Sequence, residues 1–258
     1  MRRYFTDMEK QSNSSIEKAL IVLEALGSEP YEYTIQQLST KTGINVTTMY
    51  RILYQLGAHD MVSLNEETKK YKVGPNAYHV GSAYIYNHNY MGMLQDILAE
   101  ISQITQESVG LAVLEGDKII SILEIDVPRP MKMNDVPGRF FQGNKGNYGK
   151  CITAFRDPEF INHYLDTHHF EKTYPAVLTE KEELLEEYAK IREQGYSTSI
   201  DELGIDVVGT GVPLFGKNGK IKGCIAIAFF RTDDWKKRML SHKDLLLSYQ
   251  KRIEKYLP

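Results

Sequence analysis

Residues 34–62 read TIQQLSTKTGINVTTMYRILYQLGAHDMV, a pattern that predicts two short helices joined by a sharp turn. Thr34 is expected to cap the first helix, because Gln37 follows at the third helical position and completes a capping box. Gly43 lies where the chain must turn, a position that favours a residue tolerant of positive φ. Asn45 is expected to cap the second helix. The stretch therefore predicts a helix-turn-helix, the motif that places a helix in the major groove of DNA.

The second predicted helix carries a polar face opposite an apolar stripe. Thr47 and Thr48 on its first turn suit contacts with bases or phosphates, and Arg51 follows one turn later on the same face. An arginine there can donate two parallel hydrogen bonds to a guanine, which discriminates between bases by about 1–3 kcal/mol. The apolar stripe consists of Met49, Ile52, Leu53 and Leu56.

A hairpin is predicted directly after this helix, with strands at residues 61–64 and 70–73 around a polar turn. An opening helix, capped by Ser14 or Ser15, precedes the helix-turn-helix. Together with the hairpin, these helices form a winged helix-turn-helix. Lys69 and Lys70 of the wing are expected to contact phosphates, an interaction that is independent of sequence and weakens with salt. The candidate DNA-binding residues are Thr34, Asn45, Thr47, Thr48, Tyr50, Arg51, Tyr54, Lys69 and Lys70.

Other interpretations of this region stay open. Two helices at such an angle also form ordinary packing corners, and a winged domain can bind protein instead of DNA. Ser39, which is small where the helices must approach, favours DNA binding together with Gly43 and the hairpin. The acidic Glu66 and Glu67 at the tip of the wing count against its deep insertion into a groove.

Length and composition limit the class of protein. A chain of 258 residues can form two domains, and its formal net charge of −3 excludes a protein that is basic throughout. The two cysteines and the polar N-terminus predict neither a disulfide framework nor a signal peptide. The longest apolar run, residues 223–230, is too short to cross a bilayer. We therefore expect a cytoplasmic protein with no membrane partner.

Residues 90–258 predict an α/β sensor with an antiparallel sheet. Helical patterns cover residues 91–105, 180–194 and 241–256, and two hairpins cover residues 108–125 and 206–230. Antiparallel strands with helices on their faces indicate a GAF-like fold. The fold class is thus α/β (α+β), an N-terminal winged helix-turn-helix followed by a C-terminal GAF-like domain with an antiparallel sheet.

The stretches SIEKALIVLEALG, TIQQLSTKTGINVTTMYRIL and YKVGPNAYHVGSAY resemble the N-terminal half of an IclR-type transcriptional regulator. The C-terminal half is similar too, at Asn147–Lys150, Gly195-Tyr196, Asp201–Leu203 and Val212–Phe215. The resemblance implies a flexible arm (1–13), a DNA-binding domain (14–75), a linker helix (76–89) and an effector-binding, oligomerisation domain (90–258). It also implies a homodimer or homotetramer that represses or activates an adjacent catabolic operon from a double-stranded DNA operator.

The resemblance further implies where an effector would bind. Relatives that bind small carboxylic acids use a backbone turn, here Asn147 and Tyr148, and four polar side chains. At those four positions this chain has Ser199, Gly209, Ala226 and Ala228. Because the carboxylate-binding set is largely replaced by small residues, we expect a larger, apolar or aromatic acid, stacked on Tyr148. The alternative is a vestigial pocket in a regulator that needs no ligand.

Catalysis and cofactors have little support in the sequence. Residues 143–150 depart from a phosphate-binding loop in glycine spacing, and Cys151 follows the lysine where a Ser or Thr is required. Cys151 is expected to be a small core residue, although a hydrolase that uses it is the alternative. His163, His168 and His169 fit no zinc pattern and are expected at the surface. We expect no metal, no cofactor and no enzymatic activity.

Overall fold

The computed structural model describes residues 14–87, 91–127 and 137–257. The chain divides into two units, residues 1–89 and 90–258. The predicted arm, residues 1–13, and the end of the predicted linker, residues 88–89, lie outside the described residues.

The first unit begins with three helices that start directly after their predicted N-cap residues. They are α1 (Ser15–Leu26), α2 (Ile35–Thr42) and α3 (Val46–Ala58). The capping box at Thr34 is confirmed, because its Oγ accepts from the Gln37 N–H and the Gln37 side chain accepts from the Thr34 N–H. Asn45 Oδ1 accepts from the Thr48 N–H at 2.9 Å. Gly43 has φ +70°, as the predicted turn requires.

These helices share one small core. Its fully buried members include Val22, Leu26 and Leu38, and Met49 packs among them from α3. Ser39 is half-buried where α2 meets the turn, and its hydroxyl donates to the Ile44 carbonyl at 2.7 Å. The core thus fixes α3 and leaves its opposite face to solvent.

The wing and the linker helix follow. Strands β1 (Val62–Asn65) and β2 (Lys70–Val73) pair in antiparallel fashion, and α4 covers Pro75–Asn87. Gly74 joins them in a tight space, since a Cβ there would lie 2.2 Å from the Asp60 carbonyl oxygen. Helix α4 begins one residue earlier than predicted, because proline suits the first helical position.

The second unit is built on one antiparallel sheet. Its strands are β3 (Ser108–Glu115), β4 (Lys118–Ile125), β5 (Phe140–Phe141), β6 (Ser197–Ile200), β7 (Val207–Phe215) and β8 (Ile221–Phe230), in the order β5-β4-β3-β8-β7-β6. The helices are α5 (Met91–Thr105), α6 (Gly146–Ala154), α7 (Pro158–Thr167), α8 (Lys181–Gln194) and α9 (Trp235–Glu254). The GAF-like arrangement predicted from the sequence is confirmed in outline.

Helices cover both faces of this sheet. Ala112 and Cys224 pack with Cys151 of α6, whereas Phe229 contacts His242 of α9 with ring centroids 5.2 Å apart. Because successive strand residues point to opposite faces, α6 and α9 lie on opposite sides. Among the described residues, no helix is long and apolar enough to cross a membrane.

The sequence prediction of this unit has no β5, β6 or α7, and it places the start of α9 too late. The apolar spacing does not predict helix α7, although Asp157 caps it and Pro158 occupies its first position. Helix α9 begins at Trp235 instead of residue 241, because its first turns are rich in lysine and arginine and lack the apolar spacing that indicates a helix.

Candidate DNA-binding surface and effector cavity

Helix α3 presents a continuous exposed face. Thr47 and Arg51 are exposed, Tyr50 is 57% exposed and Tyr54 is 79% exposed, while Thr48 is half-buried at the first turn. Residues three and four apart share one side of a helix, so the exposed residues form a single surface. Within the described part of the chain, Arg51 makes no hydrogen bond or ion pair, which leaves its five N–H donors available.

Two of the candidate DNA-binding residues have structural roles as well. The side-chain oxygens of Thr34 and Asn45 accept from backbone N–H groups at the starts of α2 and α3. Each keeps a donor, the threonine hydroxyl and the asparagine amide, that the cap does not use. Capping alone accounts for these residue types, so their contact with DNA stays a prediction.

The wing lysines are held by carboxylates of the same unit. Lys69 Nζ lies 2.9 Å from Glu66 Oε2, and Lys70 Nζ lies 2.7 Å from Glu32 Oε1. Exposed ion pairs of this kind contribute about 0–1 kcal/mol, so a phosphate can replace either carboxylate at little cost. Residues 14–87 contain six Lys and Arg against seven Asp and Glu, so the few cations on this surface matter individually.

The second unit contains a cavity between the sheet and the N-terminal end of α6. Including its open mouth, the space measures about 450 Å³. Its lining residues are Ser108, Gly110, Glu124, Asp126, Phe141, Gly146, Asn147, Tyr148, Leu203, Ala226 and Ala228. Asn147, Tyr148, Ala226 and Ala228 of the sequence-predicted set thus come together in one place.

Two rows of small residues cross the sheet under this cavity. Strand register aligns Ser108, Ala228, Gly209 and Ser199 in one row, and Gly110, Ala226, Gly211 and Ser197 in the next. Small side chains on four adjacent strands leave a shallow floor that α6 covers only in part. The predicted positions therefore contribute space to the cavity, because their side chains are small, and they do not contribute a set of polar ligand-binding groups.

Ser199 and Gly209 lie in the covered part of this floor and are not among the lining residues. A Cβ on Gly209 would lie 2.6 Å from Asn147 Nδ2, which shows that the Asn147 side chain covers this position. Ser197 holds that side chain, because its hydroxyl donates to Asn147 Oδ1 at 3.3 Å. The Ser199 hydroxyl is buried and has no hydrogen-bond partner among the residues that the structure describes.

Acidic residues form one wall of the cavity, and neither is among the candidates from the sequence. Glu124 pairs with Gly110 across the β3–β4 register, and Asp126 follows two residues later. The Tyr148 hydroxyl lies 3.2 Å from Glu124 Oε1 and donates to that carboxylate. Gly110 makes this contact sterically feasible, because a Cβ there would lie 1.9 Å from both the carboxylate and the tyrosine oxygen. Strand alternation alone does not reveal Glu124, because the β3–β4 register is irregular at this point: Ser121 pairs with Ala112, whereas Leu123 pairs with Leu111.

A buried ion-pair cluster fixes the start of α6. Lys150 is 2% exposed, and its Nζ donates to Glu202 Oε1 at 2.6 Å and to Glu187 Oε1 at 2.8 Å. The other oxygen of Glu202 accepts from the Gly146 N–H at 2.7 Å. Burial raises the pKa of the Glu202 carboxyl, and the Lys150 ammonium opposes that shift. The cluster therefore ties the segment that contains Leu203 to the helix beside the cavity.

The backbone turn expected at Asn147 and Tyr148 is the first turn of a helix, α6. Gly149 and Lys150 lie inside α6 and not in a turn before it. A Cβ on Gly149 would lie 1.9 Å from the Gln142 carbonyl oxygen, so glycine is required by close packing of the helix.

The remaining sequence candidates have structural explanations. Cys151 is fully buried in the core, as predicted, and contacts the other buried thiol, Cys224. His163, His168 and His169 are exposed. Within the described ranges, no group of three or more His, Cys, Asp and Glu side chains is placed to hold a metal ion.

Family models match both units. The model "IclR helix-turn-helix domain" matches residues 15–66, and "Bacterial transcriptional regulator IclR C-terminal" matches residues 82–248. The regulator KdgR of Escherichia coli (strain K12) is 28% identical over 225 residues, which cover 86% of this chain and 85% of KdgR.

Solved structures show the same fold. An IclR transcriptional regulator from Alicyclobacillus acidocaldarius has a TM-score of 0.77 at 21% identity, over 95% of this chain and 99% of that one. An IclR homolog from Microbacterium hydrocarbonoxydans, complexed with 4-hydroxybenzoate, has a TM-score of 0.70 at 15% identity, over 95% and 99% of the two chains.

Proposed function

Because the chain belongs to the IclR family of bacterial transcriptional regulators, we propose that it binds its operator through the exposed face of α3. It is a helix-turn-helix DNA-binding regulator with an effector-binding C-terminal domain. The observation that carries the proposal is Arg51, which is exposed and makes no intramolecular hydrogen bond in the described part of the chain. The bacterial cytoplasm, which holds the chromosome, is the proposed compartment.

Each residue of the α3 face has a proposed role. Thr47 and Thr48 on the first turn contact phosphates or bases, and Arg51 donates to a guanine or clamps a phosphate. Tyr50 and Tyr54 pack beside the groove with their hydroxyls available to phosphates. The residues with secondary roles in this proposal are Thr34, Asn45, Lys69 and Lys70.

Selection from random duplexes with the full chain, followed by footprinting, tests the proposal. We expect an enriched site, with Arg51→Ala lowering its affinity by about 5- to 150-fold, since a good base contact supplies about 1–3 kcal/mol. Arg252→Ala, at an exposed arginine of the second unit, serves as the matched control and should bind like the wild type. Unchanged binding by folded Arg51→Ala would show that α3 does not read the DNA.

A homodimer or homotetramer is proposed as the active form. Support comes from apolar side chains exposed on helices of the first unit: Ile16 (74%) and Leu20 (55%) on α1, and Val80 (60%) and Ile85 (54%) on α4. Such residues lie about one helical turn apart and suit a contact between two copies of the same surface. The two DNA-binding domains of such a dimer would match the two halves of an inverted repeat. Light scattering should give at least twice the monomer mass, and Leu20→Lys should reduce it.

The cavity of the second unit is the proposed effector site. Its support is the partly open cavity lined by Asn147, Tyr148, Ala226 and Ala228, beside aromatic Phe141. An aromatic acid is the first expectation, with Tyr148 and Phe141 as the stacking partners. A ligand that favours one arrangement of the assembly would change operator affinity by its differential affinity for the two states. Ser199 and Gly209 enter the proposal as residues beneath the site.

A further inference from the structure

The acidic wall of the cavity, formed by Glu124 and Asp126, determines which hydrogen-bonding groups a ligand needs. Glu124 and Asp126 both line the space, and each already accepts from a neighbour, Tyr148 in one case and Ser108 in the other. An ionised carboxylate has no donor and about four acceptor positions, whatever other groups it contacts. A ligand atom that meets this wall therefore has to donate a hydrogen bond.

The opposite end of the cavity offers donors. The first N–H groups of a helix have no intrahelical acceptor, and those of Asn147 and Tyr148 belong to the first turn of α6. Lys145, which precedes the helix, provides no side-chain cap, and Glu202 takes only the Gly146 N–H. Asn147 is 5% exposed, and its Oδ1 is occupied by Ser197, which leaves its NH₂ group as the donor beside the cavity.

These two ends are close together. Tyr148 spans the distance, because its backbone belongs to the first turn of α6 and its hydroxyl contacts Glu124. A ligand that reaches both ends is consequently about as long as one tyrosine side chain. Between the ends, Ala226, Ala228 and Leu203 offer only apolar contact.

On the basis of the proposed function, we infer that the effector is a short bifunctional molecule. One end, a carboxylate or carbonyl, accepts from the first turn of α6. The other end carries a hydroxyl or ammonium group that donates to Glu124 and Asp126. This refines the sequence-based expectation of an apolar or aromatic acid, since an unsubstituted chain or ring would place apolar atoms against two carboxylates and offer them no hydrogen bond.

Matched triplets of short acids test this inference on the full chain. Butanoate, 4-hydroxybutanoate and 4-aminobutanoate differ only at the far end, as do the five- and six-carbon counterparts. Calorimetry should show the hydroxyl or the amino member of a triplet binding at least tenfold more tightly than the unsubstituted acid. Whichever member binds identifies the donor as a hydroxyl or an ammonium group.

Two variants decide whether the preference comes from the cavity wall. Glu124→Gln keeps the size of the side chain but adds a donor, so the tenfold preference should shrink to less than threefold. Glu100→Gln is the matched control, because Glu100 also accepts from a tyrosine, Tyr249 at 2.6 Å, but is not a lining residue. The preference should survive in that control.

The contrary outcomes separate this inference from the proposed function. Equal or tighter binding of the unsubstituted acids, or a preference that persists in Glu124→Gln, would overturn the inference and leave the effector site standing. If no member of any triplet binds at millimolar concentration while operator binding is intact, both the inference and the effector role of the cavity would be overturned. Operator binding is measured separately, so its loss would bear only on α3.

Discussion

Gly43 holds a backbone conformation in the helix-turn-helix that a side chain would strain, whereas Gly57 does not. Gly43 and Gly57 both face open space, with nothing within 4 Å of an added Cβ, but only Gly43 has positive φ. The pair therefore separates backbone conformation from packing, which is rarely feasible within one small domain.

We expect opposite effects of alanine at these two glycines. Gly43→Ala should destabilise the first unit by about 1–2 kcal/mol, because an L-residue is strained in the left-handed region. Gly57→Ala, inside α3, should stabilise it by a few tenths to about 1 kcal/mol through helix propensity. Urea unfolding of the two variants measures both changes. Equal effects of the two substitutions would refute the explanation.

His242 is a buried imidazole against Phe229 in the second unit. Burial lowers its pKa to about 4, and the nearby Arg238 guanidinium adds to the shift. The unfolded chain, with an ordinary pKa near 6.5, binds a proton between pH 6.5 and 4 that the folded chain does not. Stability is therefore lost as the pH falls through this window.

The size of this loss can be measured by denaturation at two pH values. Between pH 7 and pH 5 the His242 contribution should reduce the free energy of unfolding by about 2 kcal/mol. His242→Leu should remove that part of the pH dependence, while the carboxylates of the protein continue to titrate. The same pH dependence in the variant and the wild type would contradict the assignment.

At the scale of elements, helix-capping residues and the spacing of apolar residues account for the helices that could be predicted from the sequence. Thr34, Gly43 and Asn45 mark the ends of α2 and α3 by local hydrogen bonding, so those helices follow from the sequence. The start of α9 at Trp235 does not, because its first turns are charged and only the fold shows that they remain helical. Glu124 escapes prediction for a related reason: strand register decides which carboxylate meets the cavity, and register is a property of the whole sheet.

Helix α6 depends on its buried ion-pair cluster. We expect Lys150→Met to cost about 3–5 kcal/mol, because it leaves Glu202 buried without a counter-charge. The double change Lys150→Met with Glu202→Gln should restore part of that loss, since Glu202 is then no longer a buried charge without a partner. Thermal unfolding of the single and double variants provides the comparison. A double variant no more stable than the Lys150→Met single variant would contradict the coupling.

The wing should contribute affinity without selectivity. Replacing Lys69 or Lys70 by alanine removes one cation that can bind a phosphate, so the slope of log K against log salt should fall by about 1 for each phosphate that the variant no longer binds. Lys217→Ala, in the turn between β7 and β8, is the control and should leave the slope unchanged. A change of preferred sequence in the wing variants would assign them a base contact instead.

At the scale of the whole molecule, the two units divide the work of a regulator. The family relationship establishes a DNA-binding unit and an effector-binding unit, and the sequence resemblance predicts both. The chemistry of the effector cannot be predicted in the same way. The resemblance indicates positions such as Ala226 that form the floor, whereas the groups proposed to select a ligand, Glu124 and Asp126, lie on or just beyond another strand, β4.

Recognition of DNA sequence by the α3 surface is the central claim. Equilibrium titration of the full chain against its selected operator and a scrambled duplex of the same composition, at about 0.15 M salt, tests it most directly. We predict a preference for the operator of at least about 10³-fold, within the range of specific DNA-binding proteins. Equal affinity for the two duplexes would contradict it.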